Sequence, residues 1–244
     1  MFNFFSKPKP VVVRKIKPTD PQVIAKLFAE KLPGVPVETM LRLSAGYPFH
    51  FKVTRTRSSK SGDFRAPHNG NPARITVNGD LNQYAFLITF VHELAHHLVE
   101  NYRVEMNRNS SLPVRSLRKS RKPKPHGIEW KNAFRELMTP FMYPHIIPPD
   151  VLFPLAAYLK NPKASSSGDQ ELMRALKKHD LKPGRIHLED LPFDAIFRIH
   201  NGMVFRKKEK LRTRFTCIHL QTKRTYRISP LAEVNLIEEN IPVL

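Results

Sequence analysis

Apolar residues recur at helical spacing in DPQVIAKLFAEKL, at Val23, Ile24, Leu27, Phe28 and Leu32, behind an Asp20-Pro21 start signal. A first helix is expected there. The period then changes: FHFKVTRTRSS alternates apolar and polar positions, KSGD reads as a turn, and ARITVNGD alternates again. This predicts strands over 49–79 arranged as a hairpin or meander. In LNQYAFLITFVHELAHHLVENY the helical period returns, with a middle so apolar that the helix must lie in a core. Periodicity is lost from Arg103 to Lys124, where RSLRKSRKPKP packs Lys and Arg into what reads as a mobile basic loop. HGIEWKNAFRELMTPFM resumes helical spacing at Trp130, Phe134, Leu137 and Met138, and PHIIPPDVLFPLAAYL follows as a Pro-broken stretch with a short helix.

Beyond it, KNPKASSSGD has linker composition and DQELMRALKKHD is a short amphipathic helix. From 192 to 229, β-rich runs separated by HNG, KKEK and QTKR predict a small antiparallel β module. At the other end, KPKP and KIKP mark an extended arm, since proline withholds the backbone donors that a helix or central strand needs. The expected organisation is a basic flexible arm over 1–20, a main domain over 21–158, a linker with a short helix over 159–190 and a basic β module over 191–244. The fold class is α+β, with helices packed on a small sheet. No internal repeat is present.

With 244 residues and 41% hydrophobic content the chain can fill one sizeable core and a smaller one. Charge alters the picture: 41 Lys and Arg against 21 Asp and Glu leave +20. Such a surface favours polyanions, nucleic acid first, because no apolar run reaches membrane-span length. A solvated basic surface without a partner is the plainer alternative. One cysteine, Cys217, excludes an intrachain disulfide framework and a cysteine-rich zinc cluster. The opening MFNFFSKPKPVVVRK lacks a continuous apolar segment and a small-residue cleavage site, so a cytoplasmic protein is expected.

Within VHELAHHLVEN, His92 and His96 stand four residues apart, so their imidazoles leave one helix face a turn apart and can reach one metal. Glu93 follows the first histidine, where its carboxylate can take a proton from water. This is the HExxH arrangement, and it suits one catalytic zinc ion, which accepts imidazole donors and lowers the pKa of water to about 7. A compact third-ligand motif is excluded, since Val99 and Tyr102 stand where glycine and histidine are needed. Glu129, Glu136 and His126 are the candidates for the third ligand, and position favours His126 at the opening of the next helix. His97 leaves by another face, and His50, His68, His145, His179, His187, His200 and His219 are scattered. Tyr102, Tyr143 and His97 are all candidates for stabilising an oxyanion.

FVHELAHHLV, followed some thirty residues later by HGIEWKNAF, resembles the SprT-like metallopeptidases, whose pattern is HExxH and then HGxxW or HGxxF. ITVNGDLN, ahead of the helix, is also similar, and the resemblance covers roughly 22–155. It implies a zincin-like core, His92, His96 and His126 as zinc ligands, and Glu93 as general base. Members such as the Spartan proteases are DNA-dependent and cut proteins bound on or crosslinked to DNA, which implies protein substrates and sequence-independent DNA binding. The strand RITVN would then pair with an extended substrate at its edge.

Many SprT-like proteins end in a four-cysteine zinc ribbon, which 192–229 resembles in length and hairpin character, with Cys217 alone. The module must then rest on Phe197, Val204, Phe205, Phe215, Ile218, Leu220 and Tyr226. Its basic residues Lys207, Lys208, Arg212, Arg214 and Arg224, joined by Arg115, Arg118, Lys119, Arg121 and Lys122 of the loop, are the expected DNA contacts. Two other functions remain open: a non-catalytic DNA-binding protein with a structural zinc, against which the retained Glu93 speaks, and a zinc hydrolase acting on nucleic acid.

Overall fold

The computed structural model describes residues 16–45, 48–57, 60–109, 123–164, 169–180 and 186–237. It is mixed α+β, with two sheets among these residues, and divides into two compact units, Met1–Ala164 and Ser165–Leu244. The arm before residue 16 and the basic loop with Arg115, Arg118, Lys119, Arg121 and Lys122 lie outside the described residues.

In the first unit, α1 (Pro21–Lys31) starts where the Asp20 carboxylate accepts from the Gln22 N–H at 2.7 Å, with proline at the first helical position. A second helix, α2 (Val37–Ser44), follows Pro36. The sheet corrects the expected hairpin. Strand β1 (Phe49–Thr54) pairs in parallel with β3 (Ala73–Asn78), while β2 (Gly62–Arg65), cut from the segment that reads as a turn, pairs antiparallel with β3. The order is β1-β3-β2. Strand β3 is therefore central and almost wholly buried, and RITVN offers no free edge to a substrate. Segment 17–19 lies along β1, where Thr19 N–H donates to Phe49 O at 3.0 Å and its hydroxyl accepts from Phe51 N–H at 2.8 Å. The outer edge of β2 is left without a strand beside it among the described residues.

Asn78, buried at the end of β3, ties the approach to β2 down. Its carbonyl oxygen accepts from Thr54 Oγ1 and Arg57 Nε, and its amide donates to Arg57 O and Lys60 O. Across the sheet lies α3 (Gln83–Asn109), capped by Asn82, whose side-chain oxygen accepts from the N–H groups of Tyr84 and Ala85. Phe86, Leu87, Phe90, Val91, Leu94 and Ala95 bury its inner face. Phe90 meets Phe28 edge-on at 4.8 Å and Phe51 at 5.3 Å, so α1, β1 and α3 share one aromatic centre. Each such ring contributes about 1.5–3 kcal/mol by leaving water. Helix α4 (Ile128–Met138) packs on α3 through Trp130 and Phe134, and its Arg135 donates to Leu159 O and Lys160 O at the end of α5 (Pro149–Lys160).

In the second unit, α6 (Gln170–Lys177) belongs to the β module and not to a linker: Arg174 grips Glu189 through two nitrogens, and Lys177 donates to Leu231 O. The strands β4 (Ile196–Arg198), β5 (Val204–Lys210), β6 (Phe215–His219), β7 (Thr225–Ile228) and β8 (Asn235–Ile237) form an antiparallel sheet in the order β7-β6-β5-β4-β8. Its core is Leu188, Leu191, Phe197, Phe205, Phe215, Cys217 and Val234. Cys217 thus replaces nothing metallic: it is a core residue, and burial pushes its thiol up to about 11. Of the other apolar residues expected to hold the module, Val204, Ile218 and Leu220 are half-buried and Tyr226 is exposed. No helix among the described residues is long and apolar enough to cross a membrane.

Candidate metal centre

The helical repeat sends His92 and His96 from one face of α3, and the turn ahead of α4 brings in the third imidazole. His126 Nε2 lies 3.0 Å from His96 Nε2 and 3.2 Å from His92 Nε2. Nitrogens bound at about 2.0–2.1 Å to one tetrahedral ion stand about 3.4 Å apart, so this triangle fits a single metal. All three donor atoms lie within 4.8 Å of one another, and no other group of three His, Cys, Asp or Glu donors converges among the described residues. Glu129 and Glu136 are not part of the group.

His126 reaches the triangle from a turn, not from the helix itself. Gly127 N–H donates to Lys124 O at 2.8 Å across Pro125 and His126, and His126 has φ of 57°. A turn with proline second and a left-handed residue third ordinarily takes glycine at that third place. Placing histidine there costs about 1 kcal/mol, and the cost is borne where the ring must point back at α3.

One side chain supports all three imidazoles. Trp130, 1% exposed, meets His92 at 4.6 Å, His126 at 4.7 Å and His96 at 5.4 Å between ring centres, and its Nε1–H donates to His92 O at 3.3 Å. Phe64 of β2 stacks on His96 at 6.1 Å from the strand side. Burial, then the neighbouring imidazoles, depress His92 to about 3 and His96 to about 4, and burial also lowers His126. All three are therefore neutral at pH 7, the state in which imidazole binds a metal.

Glu93, 8% exposed, enters the same cleft, which holds about 300 Å³ and is lined by Gly62, Asp63, Phe64, His92, Glu93, His96, His126 and Ala164. Burial, reinforced by the Asp63 carboxylate, raises Glu93 to about 8 against the opposing pull of Arg57, Lys60 and the Phe64 N–H. Asp63 is different: burial opposes its ionisation, but bonds from Lys60 Nζ at 2.7 Å and Arg65 Nε at 3.1 Å win and hold it below the usual carboxylate range. The close approach of Glu93 to β2 requires a glycine. A Cβ on Gly62 would stand 2.6 Å from Glu93 Oε1 and 2.6 Å from Thr89 Cγ2. Glycine inside a strand is a known mark of such approach, yet in KSGD it reads as a turn residue.

The expected oxyanion candidates do not line the cleft. Tyr102 and Tyr143 are exposed, and His97 is buried beside Phe49 and Phe64 with Asn101 against its ring. Of the expected DNA contacts in the second unit, Arg212, Arg214 and Arg224 are exposed, while Lys208 pairs with Asp194. Lys207 is a correction. It is 2% exposed, its ammonium donates to Leu191 O and lies 4.1 Å over the Phe215 ring, so it cannot meet a nucleic acid. Compared with protein-family models, curated proteins and solved structures, the chain matches none.

Proposed function

We propose that the chain is a zinc metallopeptidase of the SprT-like type, with a zincin-like core, that hydrolyses peptide bonds in proteins bound on or crosslinked to DNA. The observation that carries this reading is the convergence of three neutral Nε2 atoms beside a carboxylate that shares their cleft. His92, His96 and His126 would hold a zinc ion, which would supply Lewis acidity to the reaction.

The chain's own residues do the rest. Burial raises Glu93 to about 8, and a cation held by the three imidazoles would draw it back toward the ionised form. As a carboxylate it takes a proton from the attacking water as the water oxygen bonds to the scissile carbon, and passes that proton to the amine as the C–N bond breaks. Gly62, Asp63 and Phe64 are at once the cleft wall and the outer edge of the sheet. An extended substrate added as a strand along β2 therefore runs over Glu93, which favours a polypeptide over a compact ligand. A structural metal site has no use for a carboxylate in an open cleft, nor for an unpaired strand beside it.

The DNA-directed part rests on the +20 charge. A protease that binds substrate mainly through backbone pairing gains selectivity by concentration beside its targets on a polyanion. The test is to incubate the purified protein with a DNA-binding protein, with and without DNA, alongside Glu93→Gln. Cleavage that needs DNA and is lost in the variant is the expected result. Undiminished cleavage by Glu93→Gln removes the peptidase mechanism, and cleavage indifferent to DNA removes the DNA-directed part.

A further inference from the structure

The second unit holds a cavity of about 340 Å³ lined by Leu211, Arg212, Thr213, Arg214 and Arg227, with no acidic residue in its wall. It is built by the connection between β5 and β6. Lys210 and Phe215 close the hairpin, Leu211 N–H donates to Arg214 O at 2.7 Å, and Arg214 Nη1 donates to Arg227 O on β7. Gln170, at the start of α6, holds the tip by donating to Thr213 O at 2.6 Å. Acids of this unit have other partners: Glu189 pairs with Arg174, Asp194 with Lys208, and Glu209 of β5 accepts from Thr216. Among the described residues none of the three arginines has a carboxylate partner.

Three exposed guanidinium groups border one concavity whose lining holds no carboxylate, an arrangement that favours an anion from outside the protein. Arginine presents paired N–H donors in a fork that matches two oxygens of a phosphate, which a lysine ammonium cannot do. A loop already pinned by its own hydrogen bonds loses little freedom on binding. We propose that this cavity seats one backbone phosphate of a nucleic-acid strand, which is the positional anchor of the second unit on its polyanion. The inference rests on the DNA-directed part of the proposed function, since the overall charge is what makes a polymer the source of that phosphate.

The experiment is a fluorescence-anisotropy titration of labelled oligonucleotides at several salt concentrations. It uses the full chain, a variant with Arg212→Gln, Arg214→Gln and Arg227→Gln together, and a second with the same three changed to lysine. All three positions are exposed, so both variants should fold, as circular dichroism checks. The expected result is about tenfold weaker binding for the glutamine variant, with the slope of log K against log salt shallower by about 1. The lysine variant keeps the charge and should still lose severalfold, because the forked geometry is gone. An unchanged affinity and slope in the glutamine variant, with the parent chain binding well, overturns the cavity alone. A lysine variant equal to the parent reduces it to a diffuse basic surface. If the parent chain binds no oligonucleotide at low salt, the inference and the DNA-directed reading fall together. Displacement of bound oligonucleotide by micromolar inorganic phosphate would assign the cavity to the free ion and overturn the polymer source.

Discussion

Gly62→Ala tests whether the Glu93 carboxyl, the general base of the proposed mechanism, is placed by the strand it leans on. The added methyl would lie 2.6 Å from both Glu93 Oε1 and Thr89 Cγ2 and 2.9 Å from Glu93 Cγ, where ordinary contact begins at 3.4 Å. The shortfall is thus about 0.8 Å on two sides at once. Thr89 is fixed to the α3 backbone, so the Glu93 carboxylate or the β2 strand must yield by about that distance. A displacement of about 1 Å at a reacting group costs about a hundredfold in rate, equivalent to about 2.7 kcal/mol of transition-state stabilisation. Overpacking costs a further ~1–2 kcal/mol of stability, partly offset by alanine's lower chain entropy. The assay is kcat and KM on an unfolded protein substrate, with zinc content and thermal midpoint measured in parallel. The expected outcome is kcat down about a hundredfold with zinc still near one per chain, because the three atoms nearest the new methyl belong to Glu93 and Thr89 and not to a histidine. Adding Thr89→Ser removes the Cγ2 atom and should return part of the rate. Full activity in a folded Gly62→Ala protein would refute the argument. So would loss of zinc, which would place the disturbance in the histidines.

Three other outcomes follow from the geometry. His126→Ala should abolish stoichiometric zinc while Glu129→Ala retains it, as measured by metal analysis after dialysis; the reverse would move the third ligand to α4. Asn78→Ala removes a buried hub of four hydrogen bonds and should lower stability by about 2–3 kcal/mol in denaturant unfolding, with hydrogen exchange rising first in β2. Glu189, held below its usual range by Arg174, binds fewer protons in the folded than in the unfolded state. Its contribution is therefore complete above the unfolded carboxylate value of 4.5 and is lost as the pH falls through the lower folded value. Half-exposed pairing limits it to ~1 kcal/mol, so Glu189→Gln should lose about that at pH 7 and show a flatter acid limb than the parent chain.

The helical half of the centre is legible in the chain because its information is local. Four-residue spacing brings His92 and His96 together whatever surrounds them, and the apolar run about them announces burial. The sheet is less legible because parallel pairing of β1 with β3 joins segments more than twenty residues apart, and the four residues of β2 are too few to establish a period. Helix α2 gives no capping side chain to mark its start. Lys207 is a different kind of miss. Period two along VFRKKEK puts it on the same face as Phe205, and the same alternation puts Cys217 with Phe215 and turns Ile218 outward. Its charge suggests solvent, whereas its position in the strand dictates the interior, and the ammonium is satisfied there by backbone carbonyls and an aromatic face.

Trp130 is the only tryptophan in the chain, and its ring touches all three histidines of the metal centre. Any indole emission from this protein therefore originates beside those histidines, with no second indole to subtract. Loading a cation onto rings that border the indole alters the local field, so intensity and wavelength should follow occupancy in real time. Should these histidines take up a metal, the chain carries its own optical gauge of that event, readable in stopped flow on the unlabelled native chain.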